Sequence, residues 1–281
     1  MDIDSNKIKY LQDKSTQLRI KVLEAVKAAG KGHIGGVFSM IDILTVLFYG
    51  GILKHDPEKP KWKDRDIFLL SKGHAGIGLY CLLSDRGYFP EKHLYELNKG
   101  GLLGEHPDIN IPGIEIVGGS LGHSLGIACG IAKANRIDNN KRKVFVMMGD
   151  GECYEGSVWE AALFAGHHKL SNLILFIDRN GLIATAGTED VNSLESVSLK
   201  WESFGFEVFE IDAHNFETIV NTLKTLENKD FDKPIAIVAN SIKGKGVSFM
   251  ENQVSWHHGG IKGDNYETAR AELLNYMEGL K

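Results

Sequence analysis

Three cysteines in 281 residues, Cys81, Cys129 and Cys153, are too few and too scattered for a disulfide framework. Their spacing also lacks the paired pattern of a thiolate metal site. No apolar run approaches the length of a membrane span. The opening Met1-Asp2-Ile3-Asp4 is polar and acidic, without the basic and apolar regions of a secretion signal. The expectation is a cytoplasmic protein. A surplus of positive charge is missing too: the formal net charge is −5, with charges interspersed, so no broad basic field invites nucleic acid. There is no internal repeat and no low-complexity segment.

What is present is a core-forming chain. At 43% hydrophobic residues, 281 residues can bury a large interior, and one domain spanning 1–281 is the simplest count. Apolar residues Ile8, Leu11, Leu18, Val22 and Val26 predict a helix over about 6–29, with Gly30 at its end. A glycine-rich loop follows, and a second helix is expected from Ser39, as N-cap, to Tyr49. Short apolar runs at 67–70, 144–148, 173–177, 206–211 and 235–239 read as buried strands. Helical stretches near 157–167, 199–204 and 216–226 separate them. This alternation predicts an α/β fold, a doubly wound and mostly parallel sheet flanked by helices. Ligands of such sheets sit beyond the carboxyl ends of the strands.

Two of those ends carry oxygen ligands. Val144–Met148 runs into Gly149-Asp150-Gly151-Glu152, and Leu173–Ile177 runs into Asp178-Arg179-Asn180-Gly181-Leu182. Glycines beside Asp150 allow backbone N–H groups to approach an anion closely. A carboxylate about 4 Å from a diphosphate oxygen would be repelled by roughly 4 kcal/mol at a surface-like dielectric. Asp150 is tolerable there only with a cation between. Asp150, the Asn180 amide oxygen and a main-chain carbonyl near Leu182 would suit the octahedral oxygen shell of Mg2+, for which Ca2+ or Mn2+ could substitute. The alternative is that each motif is merely a turn.

At this point the sequence resembles the transketolases. Gly149-Asp150-Gly151, Glu155-Gly156 and Asp178-Arg179-Asn180-Gly181 are similar to the thiamine diphosphate signature of that family. Lys31-Gly32-His33, Asp64-Arg65-Asp66, Ser71-Lys72-Gly73-His74, Gly104-Glu105-His106-Pro107, Gly119-Ser120-Leu121-Gly122 and Trp256-His257-His258-Gly259 follow in the family's order. The resemblance covers nearly the whole chain, but only the N-terminal, diphosphate-binding half of a full-length transketolase. It implies thiamine diphosphate held by His74, Gly119, Ser120, Leu121, Asp150, Gly151, Glu152, Asn180 and Lys243, with Asp150, Asn180 and Leu182 on the metal. It also implies transfer of a two-carbon ketol unit from a ketose phosphate to an aldose phosphate.

Several histidines lie in loops beside glycine or proline, and imidazole titrates near neutrality, as proton transfer at a ketose requires. By resemblance His33 touches the substrate hydroxyls, His106 the C1 hydroxyl, and His74 lies between diphosphate and reaction centre. The last site is His257 or His258, with His258 preferred. Glu155 is either a first-turn carboxylate stabilised by its helix dipole or, as the resemblance implies, an acid linking two active sites across subunits. Lys243-Gly244-Lys245-Gly246 is either a solvated turn or a loop covering the cofactor. His167 and His168 are expected at a helix C-terminus, where partial positive charge is favourable. Cys153 is expected to be only a small neighbour in the cofactor loop.

Gly118, Gly122, Gly126 and Gly130 recur every four residues. The readings are tight helix packing inside the domain or a subunit interface beside the cofactor. Ser120 and His123 depart from the proline and glutamine frequent in the family, which bears on substrate specificity. The chain reaches Lys281 without the family's pyrimidine-binding domain. The expectation is therefore the first subunit of a split transketolase, assembled as a heterotetramer of two such chains and two C-terminal partners. Alternatives are a transketolase for a branched or modified sugar phosphate, a fragment like 1-deoxyxylulose-5-phosphate synthase, and a non-catalytic cofactor-binding scaffold.

Overall fold

A computed structural model describes residues 4–279, so the polar Met1-Asp2-Ile3 and the terminal Leu280-Lys281 lie outside the described residues. The elements in chain order are α1 (Ser5–Ala29), α2 (Ile34–Tyr49), β1 (Ile67–Leu70), α3 (Gly76–Asp85), α4 (His123–Ile137), β2 (Val144–Gly149), α5 (Gly156–His167), β3 (Leu173–Arg179), α6 (Thr188–Val191), α7 (Val197–Ser203), β4 (Glu207–Asp212), α8 (Phe216–Asn228), β5 (Ile235–Asn240) and α9 (Asp264–Gly279). All five strands are parallel, in the order β1-β2-β3-β5-β4.

Strand residues alternate between two cores. Phe68, Leu70, Phe145, Met147, Ile174, Phe176, Ile235 and Ile237 pack with α1, α2, α3 and α8 on one face. Ile67, Leu69, Val144, Val146, Leu173, Leu175, Ala236 and Val238 pack with α4, α5 and α7 on the other. Helices on both faces of a parallel sheet make this the expected α/β, doubly wound arrangement. Among the described residues no helix is long and apolar enough to cross a membrane.

Local chemistry accounts for most boundaries. Asp4 caps α1 by accepting from the Asn6 N–H, and Gly30 ends it in the left-handed region at φ 83°, donating to the Val26 carbonyl. Asn215 caps α8, whose Phe216, Ile219, Val220, Leu223 and Leu226 form one buried stripe. The start of α2 differs from the sequence expectation. It begins at Ile34 rather than after Ser39, so Gly35 and Gly36 are helical and Ser39 is fully buried. Close approach is the reason for glycine here. A β-carbon on Gly35 would come within 2.7 Å of the Trp256 carbonyl and 3.1 Å of Lys243 Cγ.

The four-residue glycine repeat is likewise not one helical face. Only Gly126 and Gly130 lie in α4, which starts at His123; Gly118 packs against Pro107, and Gly122 is the left-handed residue before the helix. A β-carbon on Gly126 or Gly130 would meet nothing within 4 Å, so packing inside the chain does not explain them.

Candidate active site

Gly149 pairs with Asp178 in register, so Asp150 and Asn180 leave the sheet together at the carboxyl edge of β2 and β3. A cleft of about 290 Å³ opens there. It is lined by Asp150, Gly151, Glu152, Glu155, Asn180, Leu182, Lys243, His74 and His257, with Leu121, Tyr154, Ile183 and Lys72 also on its wall.

Asp150 is buried. Its Oδ1 accepts from the Gly151 N–H at 2.8 Å, and its Oδ2 accepts from the Gly181 N–H at 2.7 Å and Arg179 at 3.2 Å. Burial, then the neighbouring Asp178 carboxylate, push its pKa up despite these donors. Asn180 Oδ1 accepts from the Leu182 N–H at 3.1 Å, and the Leu182 carbonyl accepts from Lys243 Nζ at 3.0 Å. The three groups named in the sequence offer hard oxygens at one place, which fits a divalent cation.

Beside them the shifts run the other way. Lys243 is buried and its Nζ meets the Leu182 and Ile183 carbonyls and His257 Nδ1 at 2.8 Å. Burial and then Lys72 lower its pKa to about 8. His257 falls to about 3, through burial and then Lys243, and His33 to about 4, through burial and then His258. His74 is lowered furthest, by burial and then Lys72. Crowded, desolvated bases without a countercharge fit a polyanion such as a diphosphate.

The histidines gather as expected. The His33 ring centroid lies 5.1 Å from His74, 5.4 Å from His257 and 4.4 Å from His258. Both members of the ambiguous pair join the site. His257 lines the cleft, whereas His258 stands at its mouth near Glu105. His106 is exposed and lies against Gly119, whose added β-carbon would sit 3.2 Å from the imidazole. Gly119 and Ser120 stay outside the cleft lining; Leu121 alone of that segment reaches it.

Other residues take roles the sequence left open. Glu152 lines the cleft, yet its carboxylate accepts from Ser71 Oγ, the Gly122 N–H at 2.8 Å and the Gly149 N–H, so it braces the cofactor loop from within. Glu155 is the N-cap of α5, not a first-turn residue; its exposed side chain makes no capping hydrogen bond. The Lys243 loop is no solvated turn, because Lys243 is buried. Cys153 is buried with its thiol pushed up, chiefly by burial and then by Asp150, and is inert. His167 ends α5 and His168 follows as its C-cap. Burial and then Lys133 lower the His168 pKa, against the positive charge expected of it.

Two buried networks were not legible. Asp178 accepts from Lys72, Ser39 and Ser241; burial is the largest single influence and raises its pKa, but the Lys72 charge and the three hydrogen bonds together hold it low. On the far side, Asp42 binds Arg19, Ser15 and His214. His214 Nε2 accepts from the Ile242 N–H at 2.9 Å, and Arg19 Nε donates to the Lys245 carbonyl at 3.1 Å, so this network fixes the loop that presents Lys243.

Comparisons with known proteins agree with this geometry. A family model described as the transketolase, thiamine diphosphate binding domain, matches residues 12–276. The chain is 39% identical over 275 residues to an apulose-4-phosphate transketolase subunit of Phocaeicola vulgatus, covering 98% of this chain and 97% of that one. It is 38% identical to the 6-deoxy-6-sulfo-D-fructose transketolase subunit SqwG of Clostridium sp. (strain MSTE9), over 94% and 96% of the two chains. The crystal structure of transketolase from Campylobacter jejuni matches with a TM-score of 0.84 at 29% identity, over 100% of this chain and 47% of that enzyme. The chain thus spans less than half the length of that longer protein.

Proposed function

The chain belongs to the transketolase family, as its thiamine diphosphate binding domain, and from that premise we propose that it is the first subunit of a two-component transketolase. One observation supports the reading: Asp150, Asn180 and Leu182 line one cleft at the carboxyl edge of β2 and β3, beside the buried Lys243 and the half-buried His74 and His257. Asp150, Asn180 and the Leu182 carbonyl would hold Mg2+, which would supply the positive charge that a diphosphate needs beside a carboxylate. Bound thiamine diphosphate would supply the nucleophilic carbon that severs the ketose C2–C3 bond and carries the two-carbon unit.

The chain's own residues bind and orient substrate and cofactor. Lys243 and His74 face the diphosphate side of the cleft. His33 and His257, kept neutral by burial, would hydrogen-bond the substrate hydroxyls, and His258 stands beside them at the mouth. His106 serves the donor ketose at the rim. Residues 1–281 act as one diphosphate-binding domain, and the partner supplies the pyrimidine-binding domain. Two such chains and two partners form the assembly, with Glu155 at the contact.

Two relatives matched over 97% and 96% of their length are named for apulose 4-phosphate and for 6-deoxy-6-sulfo-D-fructose. This supports a branched or modified sugar phosphate as the donor. Ser120 Oγ and His123 Nδ1, 3.1 Å apart on the exposed rim, are the residues to read it.

Calorimetric titration with thiamine diphosphate and Mg2+ tests the premise. Asp150→Ala is expected to weaken metal-dependent cofactor binding at least about tenfold, the scale of losing one metal ligand or its supporting partner. Unchanged binding would remove the metal assignment.

A further inference from the structure

The mouth of the cleft holds a second set of metal-binding groups, separate from the strand-edge oxygens. One ligand atom each of His33, Glu105 and His258 lie within 4.8 Å of one another. The backbone brings the two imidazoles together: Gly32 and Gly259 form an antiparallel bridge, with N–H to carbonyl distances of 2.9 and 3.0 Å in the two directions. That bridge locks the residues next to each glycine, His33 and His258, side by side. Glu105 arrives from a different segment, with Oε1 3.8 Å from His258 Nε2, too long for a hydrogen bond.

Glu105 is out of keeping with an entrance for phosphorylated sugars. A carboxylate there repels an anionic substrate unless a cation stands in front of it. Glu105 and His258 each keep 39% of their side-chain surface exposed, so both can rotate toward a shared ion without disturbing the core. Two imidazoles and one carboxylate, with a position left for water, match the ligand set of an open four-coordinate zinc site. Imidazole ligands favour zinc, copper or nickel over magnesium, so the ion differs from that expected at Asp150.

We propose that His33, Glu105 and His258 form a binding site for a borderline-soft divalent cation, zinc foremost, across the mouth of the cleft. An ion bound there closes the entrance and makes zinc an inhibitor competitive with sugar. That consequence and the charge argument at the entrance rest on the transketolase reading; the ligand geometry does not.

The test is calorimetric titration of the purified chain with zinc chloride in excess Mg2+, which keeps the oxygen site filled. One equivalent is expected to bind, and Glu105→Gln and His258→Ala are each expected to weaken it at least tenfold. Cobalt(II), as a coloured probe, is expected to show the intense visible bands of a four-coordinate site and to lose them in both variants. The surface His167–His168 pair is the control, and its double alanine variant is expected to bind zinc like the parent. Affinity unchanged in both Glu105→Gln and His258→Ala, or lost only in the His167–His168 variant, overturns the proposal. Thiamine diphosphate binding in these variants reports separately on the cofactor cleft.

Discussion

At the scale of single residues, the half-buried histidines make stability depend on pH. His33, His74 and His257 have pKa values lowered from 6.5, so between that value and their folded pKa the unfolded chain binds more protons than the folded one. Stability therefore rises with pH in that window and is lost as pH falls through it. The melting temperature of the chain without ligands is expected to drop between about pH 7 and about pH 5, before carboxylates titrate, and His74→Gln is expected to flatten the slope; a pH series of thermal melts measures both. Asp150 and Asn180 were legible in the sequence because each closes an apolar strand and is followed by glycine. Lys72 and Asp178 were not: each sat in a quoted motif, but nothing local says that residues 106 positions apart neutralise each other in the interior. Arg19, Asp42 and His214 were hidden for the same reason, since each is an ordinary helix or turn residue until the fold brings them together.

Secondary elements were legible in proportion to their periodicity. Four strands were readable because each is a short apolar run ended by polar or glycine residues, and α8 because its apolar stripe is regular; β4 was expected to be buried, but as the edge strand it mixes charged and apolar residues and only Ile211 is buried. The start of α2 was misread because Gly35 and Gly36 look like loop residues, and helix α3 was missed because Gly76–Ser84 is buried on every side and shows no polar face to alternate with. Along α4 and α5 the outward surface is apolar, with Ile127, Leu163 and Phe164 exposed beside the bare Gly126 and Gly130. That face supports the subunit contact expected near Glu155. Replacing Ile127 and Leu163 by glutamate is expected to lower the assembly mass measured by light scattering, while leaving the circular dichroism spectrum intact.

At the scale of the whole molecule, half a family enzyme implies divided labour. The purified chain is expected to bind thiamine diphosphate with Mg2+ yet show under about one per cent of the ketol transfer seen when its partner is added, a gap well within what losing essential catalytic groups costs; full transfer by the chain alone, in a coupled aldose-release assay, contradicts the split reading. The Gly32–Gly259 bridge carries a consequence for how this chain comes into being. It ties the exit of α1 to a loop translated after β5, so all five strands, together with His33, His74 and His106, leave the ribosome before the entrance to the cleft can close. Competence thus comes after the sheet in biosynthesis, and a released chain cut short of Trp256 would hold its five strands around an unfinished doorway.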